Sequence, residues 1–117
     1  MPHPSDPPKR GEIYWVDHNP ARGSEQAGMR PGVIISRDSF NSRMRVVVVA
    51  TMTSQVKPSL TKVAVMLPRN QPLKKEGQIL SFQIMTIDKA RLGGYMGCLD
   101  KNQIEDLKES LRFVWDL

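Results

Sequence analysis

The stretch MRVVVVATMT, residues 44–53, decides the architecture. Valine and threonine are stiff at χ1 and crowd a helix, yet they pack well on a pleated surface. The run is also short for a helix, so it reads as a central strand. Working outward toward the N-terminus, GVIIS (32–36) is a second strand opened by AGMRP, and GEIYWVDHN (11–19) alternates like a third. RDSFNSR (37–43) breaks the pattern, with Asp38 placed to cap one helical turn. Toward the C-terminus, VKPSL is a turn around Pro58. TKVAVML (61–67) is a strand with Val63, Val65 and Leu67 inward, and PRNQPLKKEG is loop. GQILSFQIMTI (77–87) is a further strand, bent in its middle. DKARL (88–92) is a helical turn capped by Asp88 and stopped by Gly93-Gly94, and YMGCL adds a small edge strand.

The chain closes on a helix with a defined start. Asp100 stands at the N-cap with Gln103 three residues on, a capping-box pattern. Ile104, Leu107, Leu111 and Val114 then recur at helical spacing and face the sheet. Short strands joined by turns and closed by one helix predict a mainly β domain, a strongly bent antiparallel sheet or barrel with a C-terminal α-helix. The polar, Pro-rich residues 1–9 read as a flexible leader and 10–117 as one domain.

Composition bounds the function. The net charge is +5. Residues 1–99 carry 14 basic and 7 acidic side chains, whereas residues 100–117 carry 3 and 5. No carboxylate stands between Asp38 and Glu76, an interval that holds Arg43, Arg45, Lys57, Lys62, Arg69, Lys74 and Lys75. Such a one-signed stretch points to a polyanion, most simply nucleic acid. One cysteine, Cys98, excludes an internal disulfide framework and favours a reducing cytoplasm. No apolar run reaches the ~20 residues of a membrane span. The two histidines, His3 and His18, form no zinc spacing with other ligands, and no phosphate-cradling glycine loop or Ser–His–Asp set is recognisable. An enzyme built this way is expected to work without metal or cofactor. RNA suits it, because the 2′-OH is an intramolecular nucleophile with an effective molarity of ~10⁵ M or more. The protein then has only to orient the phosphate, stabilise charge on its oxygens and move protons.

Four segments, RGEIYWVD (10–17), GSEQAGMRPGVIIS (23–36), VVVVATMTSQ (46–55) and QIMTIDKARL (83–92), resemble in order and spacing the MazF/PemK/Kid endoribonuclease toxins of type II toxin–antitoxin systems. The resemblance covers most of residues 10–117. It implies an SH3-like barrel of the CcdB/MazF/PemK type that pairs as a homodimer in the cytoplasm. It implies metal-independent, sequence-selective cleavage of single-stranded RNA to 2′,3′-cyclic phosphate and 5′-OH ends. It also implies a cognate antitoxin whose acidic, flexible tail lies over the RNA groove. Carried over residue by residue, the catalytic pair falls on Arg30 and Thr53. RNA contacts fall on Ser24, Glu25 and Gln26 of a loop hinged at Gly23 and Gly28, on Ser54 and Gln55, and on Gln83.

The chain departs from the pattern at three places. Ser24 stands where some relatives have histidine, Phe82 where some have a carboxylate, and Met85 where arginine is common. A mechanism that uses that carboxylate as general base is therefore closed to this chain. Against the catalytic reading, Arg30 has a bland alternative as the partner of Glu25 or Asp17, and Thr53 as a plain β-branched strand residue. Trp15 and Trp115 are expected in the core or at an interface, and His18 at the surface. Two other functions compete: a CcdB-like, protein-binding gyrase poison on the same fold, and an inactive module that binds RNA or antitoxin.

Overall fold

A computed structural model describes residues 6–17, 29–67 and 76–117. Its elements, in chain order, are β1 (Glu12–Asp17), β2 (Met29–Ile34), α1 (Asp38–Arg43), β3 (Val46–Thr53), β4 (Ala64–Leu67), β5 (Gly77–Asp88), a 3₁₀ turn (Lys89–Arg91), β6 (Leu92–Cys98) and α2 (Lys101–Trp115). The six strands make one antiparallel sheet in the order β4-β5-β3-β2-β1-β6. The valine-rich β3 lies in its interior, as the sequence predicts.

Both faces of β3 are apolar, and each feeds a separate cluster. Ala50 and Met52, with Val48 packed beside them, join Ile13, Val33, Ile79 and Leu107. Val47 and Val49 join Val16, Ile34 and Ile87. The first cluster is closed by α2, whose Leu107 is buried while Ile104 and Leu111 pack on the same core. The capping box forms as expected: the Asp100 carboxylate accepts the Gln103 N–H at 2.8 Å, and the Gln103 side chain accepts the Asp100 N–H at 2.9 Å. Two orphan donors of the first helical turn are thereby satisfied locally.

The bend predicted in the fifth strand is a bulge. Ala50 pairs with Ile84 but Thr51 pairs with Leu80, so Ser81, Phe82 and Gln83 are extra residues on β5. The insertion forces the strand to turn. The helix anchors it. Ser81 is fully buried; its hydroxyl shares a hydrogen bond with Ser110 Oγ at 2.7 Å, and its carbonyl accepts the Trp115 indole N–H at 3.0 Å. Ser110 Oγ also donates to the Lys62 carbonyl at 2.8 Å, tying α2 to the start of β4.

Two local expectations are corrected. Asp38 does not cap α1: the N-cap is Arg37 and makes no side-chain cap bond. The Asp38 carboxylate instead accepts the Arg10 N–H at 2.9 Å, a donor 28 residues away. The helix is held by Asn41, fully buried, whose amide donates to the Ser36 carbonyl at 2.9 Å. Gly93-Gly94 does not stop the turn after β5, because β6 already begins at Leu92 and runs through both glycines. A Cβ on Gly93 would come within 2.4 Å of Met29 Cε and 3.1 Å of the Trp15 carbonyl, so its bare backbone lets Met29 fold over it. Trp15 and Trp115 are 40% and 45% exposed and belong to neither core cluster, which leaves the interface of the two places expected for them. Pro8 is buried, and the Lys9 N–H donates to the buried Glu12 at 2.8 Å.

Candidate functional site

Arg30 lies near the start of β2, where it pairs with Val16 of β1. Thr53 is the last residue of β3 and pairs with Gln78 of β5. Strands β2 and β3 pair Ile34 with Val49, Val33 with Ala50 and Gly32 with Thr51. Continuing that register by two residues sets Arg30 across from Thr53, with both side chains on one face. Arg30 is exposed and Thr53 half-buried. The two residues singled out from opposite ends of a 24-residue interval are thus brought to one end of the sheet.

The backbone after Thr53 is fixed twice. Thr53 Oγ1 accepts the Gln55 N–H at 3.0 Å. Two residues on, the fully buried Gln78 clamps Lys57: the Lys57 N–H donates to Oε1, and Nε2 donates to the Lys57 carbonyl, each at 3.0 Å. Between these anchors Ser54 and Gln55 are exposed to solvent. A hydroxyl has one hydrogen and two lone pairs. With a lone pair of Thr53 Oγ1 occupied by an N–H, its hydrogen is left for an acceptor.

Gln83 is exposed and sits in the β5 bulge, beside the Ala50–Thr51 step of β3 rather than beside Thr53. Phe82, in the same bulge, is 40% exposed. Ser24, Glu25 and Gln26, with Gly23, Gly28 and His18, lie outside the described residues. Met85 packs against the second core cluster.

Two residues that the sequence reading passed over belong to this end of the molecule. Gln78 is one. Its only sequence signal is an amide inside an apolar strand run. Arg91 is the other. Its Nη2 donates to the Asp17 carbonyl at 2.6 Å, at the point where β1 ends, and its Nε is buried with no hydrogen-bond partner among the described residues. It ties the 3₁₀ turn to the strand that pairs with Arg30.

Among the described residues no group of His, Cys, Asp and Glu is arranged to hold a metal ion. The titration shifts lie at the other end of β1. Burial, then the hydrogen bond to Glu12, raises the Tyr14 phenol. Burial also raises Tyr95, stacked edge-on against Tyr14 at 5.7 Å, and the Cys98 thiol.

A bent six-stranded antiparallel sheet backed by one C-terminal helix is an architecture shared with solved structures. An endoribonuclease solved in complex with its cognate antitoxin, from Mycobacterial species, shares the fold at a TM-score of 0.80. The match has 24% identity and covers 94% of this chain and 96% of that one. MazF from Deinococcus radiodurans shares it at 0.76, with 21% identity over 95% and 98% of the two chains. The sequence itself fits the family of PemK-like, MazF-like toxins of type II toxin–antitoxin systems over residues 9–115, and the chain belongs to that family. It is also 33% identical over 104 residues to the endoribonuclease MazF of Staphylococcus saprophyticus subsp. saprophyticus, spanning 88% of this chain and 87% of that protein.

Proposed function

We propose that this toxin is an endoribonuclease that cuts single-stranded RNA without a metal ion, leaving a 2′,3′-cyclic phosphate and a 5′-OH. The observation that carries the reading is the β2–β3 register, which pairs Gly32 with Thr51 and, carried two residues further, sets Arg30 across from Thr53 beside a pinned loop. The relative named an endoribonuclease supports the substrate class. When the 2′-OH attacks, charge grows on the non-bridging phosphate oxygens. A guanidinium meets two such oxygens in one plane, and a rigid strand holds it there without reorganisation. The Thr53 hydrogen adds a second donor from the neighbouring strand. Ser54, Gln55 and Gln83 contact flanking nucleotides, as do Ser24, Glu25 and Gln26.

The partners follow the same reading. A relative is solved with its cognate antitoxin, and an acidic, extended antitoxin segment suits the carboxylate-free interval from Asp38 to Glu76. Phe82, Ile84 and Trp115 are each more than a third exposed around the β5 bulge. A cluster of that kind is suited to burial between two copies, which would make the working form a homodimer.

The test is single-turnover cleavage of one RNA oligonucleotide in excess chelator, with melting curves alongside. Arg30→Ala and Arg30→Lys are expected to fold and to lose ~10²- to 10³-fold in rate, the usual loss for a missing oxyanion contact. Thr53→Val keeps the strand shape and is expected to slow cleavage as well. Wild-type rates from Arg30→Ala would refute the assignment, and loss of folding would make Arg30 structural.

A further inference from the structure

The end of the sheet opposite Arg30 and Thr53 carries a second concentration of positive charge that the proposed cleavage site does not use. There β1 begins, β2 ends, β3 begins and β5 ends, and α1 links β2 to β3. Arg10, Arg37, Arg43, Arg45 and Lys89 gather at this pole. Arg37 is the N-cap and Arg43 the last residue of the six-residue α1; both are exposed, and neither side chain has a hydrogen-bond or ion-pair partner among the described residues. The Arg45 side chain is 92% exposed, and its one carboxylate contact, to Asp88, is long at 3.7 Å. Arg10 is held in place, because its Nε donates to the Ile35 carbonyl at 2.8 Å. Together with Arg37, Asp38 and Ser39 it lines an open concavity of ≈480 Å³.

The carboxylates of this pole are already engaged with backbone donors. Glu12 accepts the Lys9 N–H, Asp38 the Arg10 N–H, Asp88 the Ala90 N–H and Asp100 the Gln103 N–H. Those carboxylates keep their charge, but the five cations outnumber them, and the exposed Arg37, Arg43 and Arg45 are left to attract a polyanion. The cations are mostly arginine, whose planar fork suits phosphate oxygens better than a lysine point charge. Phe40 stands three residues from both Arg37 and Arg43 but is half-buried, so the exposed arginines offer contacts chiefly to backbone phosphates.

From these observations the geometry points to a second RNA site: the α1 pole holds the phosphate backbone of the strand flanking the cut, with no preference for sequence. The inference rests on the RNA reading above. Arg37 follows Arg30 by seven residues of mostly extended chain, so the pole lies roughly 20 Å from the reacting phosphate. At a stacked rise of about 3.4 Å per nucleotide, that is about six nucleotides.

The experiment uses the full chain and two RNAs made from a cut mapped in a long single strand. One is a piece of about eight nucleotides centred on the cut, and the other extends it by about ten on each side, enough to span the distance at ~3.4 Å per nucleotide. Binding is measured over a salt series on versions blocked at the scissile 2′-OH, and cleavage on the unblocked ones. The expected result is tighter binding of the longer RNA by the wild type. Its salt slope should be steeper by about 1.4, two contacts at ~0.7 each. Arg37→Gln with Arg43→Gln should erase both differences while leaving cleavage of the short piece unchanged. Equal affinity for the two lengths, or a length advantage that survives the double substitution, would overturn the second site alone. An acidic peptide that loses affinity in the double variant while RNA does not would give the pole to a protein partner and overturn it too. Failure of the wild type to cut the short piece would bring down the RNA reading and this site with it.

Discussion

Gln78→Met isolates the clamp beside Thr53. Methionine matches glutamine in length and lacks both hydrogen-bonding ends. The buried amide makes two neutral bonds to the Lys57 backbone, each at 3.0 Å. A neutral bond of this kind contributes about 1 kcal/mol net, so the pair is worth about 2 kcal/mol. Lys57 is exposed, so water can take over its freed N–H and C=O and no larger penalty follows. At roughly 4 °C per kcal/mol for a domain of this size, the melting temperature should fall by about 8 °C. A domain stabilised by ~5–15 kcal/mol stays folded at 25 °C after such a loss. Any fall in rate then reports position, not unfolding. Freed from Gln78, the segment 53–57 keeps the Gln55 N–H bond to Thr53 Oγ1 and the Leu60 N–H bond to the Lys57 carbonyl, and the Thr53 hydroxyl loses part of its fixed aim. We expect cleavage to slow about tenfold, since misplacement near 1 Å can cost ~10²-fold. Circular dichroism melts and single-turnover cleavage of one oligonucleotide are the paired assays. Adding Thr53→Val to Gln78→Met should give less than the product of the single losses, because both act through the same hydroxyl. A melting point within about 1 °C of wild type would refute the energetic argument. A normal rate in a destabilised protein would refute the positioning argument.

Three further outcomes test the frame around the site. Asp100→Ala removes the helix cap and should cost about 1 kcal/mol in a urea titration while leaving cleavage untouched. Gly11→Ala should cost more, about 1–3 kcal/mol, because Gly11 has φ +92° and a new Cβ would stand 2.8 Å from Ile104 Cδ1; an unchanged urea midpoint would contradict the packing described. The raised phenol of Tyr14 sets a pH limit: the folded state holds its proton longer than the unfolded chain, so that stability is intact below the ordinary value of 10.0 and lost as pH climbs beyond it. Urea midpoints at a series of alkaline pH values should fall less steeply in Tyr14→Phe than in wild type.

Residue order alone determined those features whose cause is local. β-Branched density in 44–53 makes a strand wherever the chain places it. Asp100 and Gln103 lie three residues apart, close enough to cap the helix without help, and the Leu107 stripe faces the core because 3.6-residue periodicity requires it. The motifs also sufficed to recognise the family and to nominate Arg30 and Thr53. What the residues could not show is anything whose partner is distant along the chain. Asp38 has the composition of a cap, yet Arg10, 28 residues earlier, brings it a better-placed N–H. The facing of Arg30 and Thr53 depends on the β2–β3 register, which one slipped residue would turn to the opposite face. Gln78 and Arg91 look like ordinary strand and turn residues until the fold brings them Lys57 and the Asp17 carbonyl, 21 and 74 residues away. The bulge at Ser81–Gln83 exists because α2 supplies Ser110 and Trp115 to hold it. A buried polar group must find a partner, and tertiary packing alone decides which residue provides it.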